Sequence, residues 1–221
     1  IMCKPNAVEW RGNRSNSWQV FQSLRSDCIK VGPGMRLRNT HERYGAVAQA
    51  LHWAIVALVA VQIVLGVTGA DLPVGMERLI TLSRHKSLGM TILALMVVRL
   101  AWRLASPAPA LPAQIPAVEQ RLARATHWLF YGLLLTMPVV GWISSSASNL
   151  TVSWFGLFTF PDLVETDKVL ATSAKALHRG MAWLLMTLVS LHALAALRHH
   201  FLLKDSVLKR MLPWGNQADG D

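Results

Sequence analysis

Charged side chains are scarce in this sequence, and they make up only 15% of its 221 residues. Soluble domains carry about 25% charged residues, so the shortage argues against a soluble protein. Hydrophobic residues make up 52% of the chain, and the mean hydropathy is +0.34. The composition therefore predicts a protein that lies in a membrane.

Cysteine is almost absent from the chain. Cys3 and Cys28 are its two cysteines, and both precede the first long apolar run. They form no CxxC pair, and the sequence contains no CxxCH motif, which argues against covalent haem attachment. Any metal or cofactor held by the apolar part must therefore rely on other side chains.

The apolar core of a signal peptide is also missing from residues 1–34, which are polar and show no clear helical period. We expect Met35 to be the natural start, with the preceding residues an upstream extension or a disordered tail. The sequence then divides into three parts. These are an N-terminal extension over residues 1–40, a membrane domain over 41–213 and a polar C-terminal tail over 214–221.

Four long apolar runs dominate the rest of the sequence. A bilayer-spanning helix needs about 20 mostly apolar residues, and its backbone groups must bond internally in hydrocarbon. Each run reaches that length when its flanking residues are included. We therefore predict an all-α fold, an integral membrane four-helix bundle. The predicted helices span residues 46–70, 85–104, 125–147 and 176–201.

Lysine and arginine are divided unequally between the two ends of these helices. If both termini and the 105–124 loop share one side, that side holds 16 of the 22 basic residues and the other holds 6. Because positively charged loops stay in the cytoplasm, this division places both termini there. The net charge of +10 is thus a topology signal, and we expect no nucleic-acid partner.

Histidines interrupt the apolar runs at regular places. His178 and His192 lie 14 residues apart in the fourth helix. Fourteen residues return to within roughly 40° of the starting face and rise about 21 Å. Both side chains therefore share a face, one near each membrane surface. Ionisable groups inside membrane helices indicate a functional site.

Each of these two histidines has a counterpart at its own depth. The first helix runs outward and carries His52 near its inner end, and the second returns inward with His85 at its outer end. Depth therefore predicts the pairs His52/His192 on the inner side and His85/His178 on the outer side. Two axial histidines at each of two levels suit two haem irons, enclosed by the bundle.

Other interpretations of the four histidines stay open at this point. Zinc needs closely spaced ligands that complete a tetrahedron, whereas copper or another metal fits the residue count. The histidines would also be compatible with structural, hydrogen-bonded roles in a haem-free transporter or structural membrane protein.

Three further residues are predicted to serve the haems. Gly66 lies on the face of His52 at the outer depth, and Gly89 lies one turn after His85. The missing side chains would leave room for a porphyrin, although small residues also allow close helix packing without any cofactor. Arg99 lies at the inner depth, where its guanidinium can pair with a haem propionate. Alternatively, it extends to the membrane surface.

The remaining polar residues near the helix ends give weaker signals. Arg84, Lys86 and Arg179 make the outer mouth basic, which favours a small anionic partner, although interfacial cations are also common. His127 either packs through a hydrogen bond or lines a quinone pocket. We expect His199 and the adjacent His200 to be solvated at the inner interface.

Several longer motifs match a known family. The four segments that carry the match are "ALHW", "RHKSLGMTILALMVVRLAWRL", "HWLFYGLLLTMPVVGW" with "WFGLF", and "LHRGMAWLLMTLVSLHALAALRHHFLLKDSVLKRMLP". Through them, residues 40–213 resemble the bacterial cytochrome b561 group of small di-haem membrane proteins. All four proposed histidine ligands lie inside these motifs, and only the N-terminal segment falls outside the pattern.

The resemblance implies two haem b groups, bound non-covalently by the four histidines, and electron exchange with ubiquinone in the bacterial inner membrane. One activity of the group is the oxidation of periplasmic superoxide, with ubiquinone as the electron acceptor. The basic outer mouth suits such an anionic donor. The resemblance thus implies a superoxide:ubiquinone oxidoreductase or an electron carrier. The alternative is a cytochrome b subunit that serves a partner dehydrogenase or hydrogenase.

Overall fold

The structure is a computed structural model, and it describes residues 37–40, 43–109 and 115–212. Within these residues, four long helices follow one another, and a two-stranded hairpin precedes the fourth. The expectations for the start at Met35, for the extension before residue 37 and for the tail over 214–221 lie outside the described residues.

The last three helices begin earlier than the sequence predicts. The four helices are α1 (Ala46–Asp71), α2 (Met76–Ala105), α3 (Ala117–Ala147) and α4 (Lys168–Phe201). The predicted starts at residues 85, 125 and 176 are thus eight or nine residues too late. The added turns contain charged side chains such as Arg78 and Glu119, which hydropathy excludes. A helix continues past the hydrocarbon because its backbone bonds stay internal.

All four helices are long and apolar enough to cross a membrane. Their most apolar segments have mean hydropathies of 2.3, 1.7, 1.4 and 1.8 in chain order. Large apolar side chains such as Val64 on α1 and Trp183 on α4 are more than half exposed. Such apolar surfaces are stable in contact with lipid rather than with water. The predicted four-helix membrane bundle is confirmed.

The helices pack as two pairs around an apolar centre. α1 lies along α2 and α3 along α4, and the pairs join between α2 and α3. Because His52 precedes Ile55 in α1 and His85 precedes Ile92 in the antiparallel α2, this centre separates two histidine levels. We call the level of His52 inner and the level of His85 outer, after the orientation that the sequence predicts. The buried residues of the central cluster are Ile55, Val59, Ile92, Met96 and Tyr131.

A short β-hairpin lies against the outer part of α2, in a stretch for which the sequence predicts only a loop. Its strands, β1 (Val152–Trp154) and β2 (Phe158–Phe160), pair antiparallel. Phe155 and Gly156 between them have φ values of 50° and 76°. Positive φ at both central residues is typical of the type I′ turn that joins twisted antiparallel strands.

Ser87 of α2 holds this hairpin in place. Its side chain is almost completely buried, and its hydroxyl donates to the Ser153 carbonyl at 2.8 Å. The same oxygen accepts the Phe155 backbone N–H at 3.1 Å. One hydroxyl therefore satisfies two backbone groups of the hairpin, and it does so two residues after His85.

We expect Ser87→Ala to lower the free energy of unfolding by about 1–3 kcal/mol, because it leaves buried backbone groups without partners. Thermal unfolding in detergent measures the change. Ser148→Ala is the control, since among the described residues that exposed hydroxyl bonds only to the Ser144 carbonyl in the last turn of α3. Its effect should stay within roughly 0.5 kcal/mol. Equal effects of the two variants would contradict the anchoring role of Ser87.

The chain segments that flank the bundle meet at its inner end. Asn39 donates from Nδ2 to the Ser106 carbonyl at 2.8 Å, and this bond ties the residues before α1 to the end of α2. After α4, a 3₁₀ turn over Lys209–Met211 returns to α1, where Trp53 Nε1 donates to the Met211 carbonyl at 2.8 Å. Both flanking segments therefore close the same end of the bundle.

Candidate functional site

The structure brings His85 of α2 and His178 of α4 together at the outer level. Their ring centroids are 6.1 Å apart, and the ring planes meet at 74°. Two nitrogens that bind one metal atom from opposite sides, each at roughly 2 Å, lie about 4 Å apart. The radii of the two rings account for the remainder. The spacing therefore suits a metal atom between the imidazoles.

His178 is oriented by a backbone carbonyl of α3. Its Nδ1 lies 3.1 Å from the Met137 oxygen, so an Nδ1–H donates there and Nε2 is left for a ligand. Histidines that bind metals commonly donate their second N–H in this way. Gly141, one turn after Met137, permits the approach. A Cβ at Gly141 would lie 3.1 Å from Cε1 and 3.2 Å from Nδ1 of the ring.

His85 lies against two residues of α1 that are one turn apart. A Cβ on Gly66 would be 3.0 Å from Cε1 of the ring. Gln62 Nε2 donates to the His85 carbonyl at 3.0 Å and lies 3.3 Å from the ring Nε2. Gly89 accommodates this amide, since a Cβ there would be 3.2 Å from it. Gly66 and Gly89 thus lie at the outer level. That they leave room for a porphyrin stays a prediction.

Two buried polar atoms at this level lack partners. Within the part of the chain that the structure describes, neither Gln62 Oε1 nor His85 Nδ1 has a hydrogen-bond partner. Leaving a buried polar group unsatisfied costs about 1–3 kcal/mol. Together with the Nε2 of His178, which the contact with Met137 leaves unused, these unsatisfied atoms fit residues that would hold a group with a metal centre.

The inner level has a different arrangement. The ring of His192 lies 5.6 Å from that of His127 and 5.4 Å from that of Phe130, both on α3. His52 faces the same region, within electrostatic range of His192, His127 and Arg99. His127 is also fixed by its own helix, because its Nδ1 lies 2.7 Å from the Ala123 carbonyl. The pairing of His52 with His192 stays a prediction.

Arg99 turns towards the inner end of α1. Its Nη1 lies 3.4 Å from the carbonyl of Ala48, one turn before His52. Arg99 lines a small pocket with Arg103 and Tyr44, and the pocket contains no acidic side chain among the described residues. Burial raises the pKa of Tyr44, and the two arginines oppose that shift. The pairing of Arg99 with a haem propionate stays a prediction.

His199 is not solvated, contrary to the expectation from the sequence. Its side chain is only 15% exposed, and its Nδ1 bonds to the Asp205 carboxylate. Its Nε2 faces Glu119 of α3 at 3.9 Å. The sequence predicts an exposed side chain because His199 lies at the end of α4. The chain after α4 folds back, however, and brings an acceptor onto the ring.

Three basic residues flank the two outer histidines in the chain. Arg84 and Arg179 are exposed there, and Lys86 Nζ donates to the Thr151 carbonyl at 3.2 Å.

Among the described residues, no three His, Cys, Asp or Glu side chains come together as a metal site. The binding of haem iron by the paired histidines stays a prediction.

Comparison with known proteins finds similar sequences over most of the chain. The sequence model of the family described as prokaryotic cytochrome b561 matches residues 43–214. Cytochrome b561 homolog 2 of Escherichia coli (strain K12) is 35% identical over 190 residues, covering 80% of this chain and 95% of that protein. A probable superoxide oxidase CybB of Yersinia pestis is 31% identical over 177 residues, covering 78% and 97%. Cytochrome b561 homolog 1 of the same Escherichia coli strain is 27% identical over 164 residues, covering 74% and 93%.

Proposed function

The chain belongs to the prokaryotic cytochrome b561 family of bacterial membrane proteins, and from this we propose that it transfers electrons between a periplasmic donor and ubiquinone. Membership implies haem b, and we propose two such groups, one at each histidine level. The observation that supports this most directly is the facing pair His85/His178, with ring centroids 6.1 Å apart.

The chain's own residues would hold and shield the cofactors. His85 and His178 would bind the outer haem, and His52 and His192 the inner one. When bound, each haem supplies a site that takes up one electron and gives it up again. The central cluster, which includes Ile92 and Met96, keeps water away from the space between the two levels.

The orientation of the bundle decides which partners meet which end. We place both termini in the cytoplasm, because the charge division favours it. The hairpin and the outer histidine pair then face the periplasm, where Arg84, Lys86 and Arg179 attract small anions. A relative is named a probable superoxide oxidase, so superoxide is the donor that we propose. Two superoxide anions would each lose one electron and become O₂, and ubiquinone would take both electrons with two protons.

A stopped-flow experiment tests this function. We expect superoxide to produce the reduced b-type α-band in the purified protein, and added ubiquinone to remove it. Superoxide dismutase should abolish the first step. A protein without any b-type band would overturn the haem assignment. If the protein contains haem that superoxide does not reduce, superoxide is not the donor. That result would favour a cytochrome b subunit that serves a partner dehydrogenase or hydrogenase.

A further inference from the structure

Gln62 is a polar residue in the middle of an apolar helix, and its amide touches the outer histidine of α2. Its Nε2 contacts both the backbone carbonyl and the ring Nε2 of His85. Its Oε1 is buried and has no partner among the described residues. The amide is therefore held in place at one end and available at the other.

The contact with the ring also fixes what changes when a metal binds. The amide nitrogen of Gln62 can only donate, so the ring Nε2 of His85 accepts and the proton lies on Nδ1. That Nδ1–H has no acceptor within the described residues. A metal on Nε2 would displace the amide N–H, and the Nδ1–H would still need an acceptor. The free Oε1 of the same amide supplies one after a rotation of the ring or the amide.

We infer that Gln62 is the positioning residue of the outer haem ligand. In the haem-bound protein the Oε1 of Gln62 accepts the Nδ1–H of His85, while the Nε2 of His85 binds iron. This inference rests on the proposed function, because it assumes a haem between His85 and His178. It goes beyond that function by assigning a role to a residue outside the four proposed histidine ligands.

The other outer ligand lies against a similarly spaced pair of residues on its own facing helix, and there the Nδ1 already meets its acceptor. His178 meets an acceptor, the Met137 carbonyl, and a glycine four residues later, Gly141. His85 meets Gln62 and, four residues later, Gly66. In both places one helical turn separates the acceptor from the gap that admits the ring. The difference is that Gln62 acts through a side chain, so substitution can remove its acceptor.

An acceptor on the second N–H makes a histidine a more basic ligand and favours the ferric state. We therefore expect Gln62→Leu to raise the midpoint potential of the outer haem and to weaken its retention roughly 10–100-fold. Gln62→Glu keeps a carboxyl oxygen in place. It should retain the haem without raising the potential. Spectroelectrochemical titration of the full-length protein in detergent measures both haems at once.

The outer haem is identified as the one that His178→Ala loses. Gln49→Leu is the matched control, because Gln49 is a buried glutamine of the same helix that bonds to the carbonyls of Arg210 and Leu212 at the inner end. It should leave the potential of the outer haem unchanged.

Three results would overturn the inference. In the first, Gln62→Leu leaves both potentials unchanged while the wild-type protein contains two haems, and the proposed function then stands without it. In the second, Gln62→Glu raises the midpoint potential of the outer haem or loses that haem. This variant also provides the test if Gln62→Leu does not fold. In the third, the wild-type protein shows no b-type spectrum, and the proposed function fails as well.

Discussion

His178→Ala is expected to yield a folded protein that contains one haem instead of two, with the outer haem missing. His192→Ala should lose the inner haem and keep the outer one. Each substitution removes one axial ligand, and the two levels are about 21 Å apart along α4, so neither change reaches the other level. Haem content per protein and reduced-minus-oxidised spectra measure the outcome.

The partner helices make this prediction specific. His85→Ala should lose the same haem as His178→Ala, and His52→Ala the same haem as His192→Ala. His127→Ala is the informative comparison, because the His127 ring lies 5.6 Å from that of His192. We expect it to keep both haems. If His127→Ala loses the inner haem and His52→Ala keeps it, the inner pairing is wrong. If one histidine substitution removes both haems from a folded protein, the depth argument is wrong.

Gly141→Leu is expected to abolish outer haem binding without unfolding the bundle. A Cβ alone would lie 3.1 Å from the His178 ring, so alanine forces a shift of only a few tenths of an ångström. A leucine side chain would displace the ring from the Met137 carbonyl and from the space of the metal. Overpacking of this kind costs typically about 1–3 kcal/mol. Gly66→Leu should act in the same way on His85.

Gly132→Leu provides the matched control on the same helix. A Cβ at Gly132 would meet nothing within 4 Å among the described residues. This variant should therefore bind both haems and melt close to the wild-type temperature. Haem content after purification, with circular dichroism to verify helicity, separates the cases. Normal outer haem content in Gly141→Leu would mean that the ring does not use this gap when haem is bound.

The sequence predicts the architecture well because the membrane constrains it strongly. A run of about 20 apolar residues has one stable conformation in hydrocarbon, and helical geometry then fixes which histidines share a face. The facing of His85 and His178 follows from that reasoning. Helix ends are harder to predict, since turns beyond the hydrocarbon carry charges and look like loops. Arg84 precedes the predicted start of α2, yet it lies well inside the helix.

The parts of the site that the sequence does not predict depend on contacts between distant segments of the chain. Gly141 lies in an ordinary apolar run, and its role appears only when the rotation of α4 against α3 is known. Gln62 is visible as a polar residue in α1, but the sequence does not reveal which ring it touches. The hairpin strands are three residues long, too short for a clear alternation. The "WFGLF" motif, with its central glycine, was the available turn signal.

The apolar centre of the bundle has an energetic consequence for the proposed electron path. An electron that moves from the outer to the inner level crosses the layer of Ile55, Val59, Ile92 and Met96 without a proton. In a respiring bacterium the cytoplasmic side is electrically negative, so this movement works against the membrane potential. The full crossing of one charge costs about 2.3 kcal/mol per 100 mV. The two levels span about 21 of roughly 30 Å, so the step costs about 1.6 kcal/mol per 100 mV. An energised membrane would therefore oppose the inward step by this amount, and its collapse would make the step more favourable.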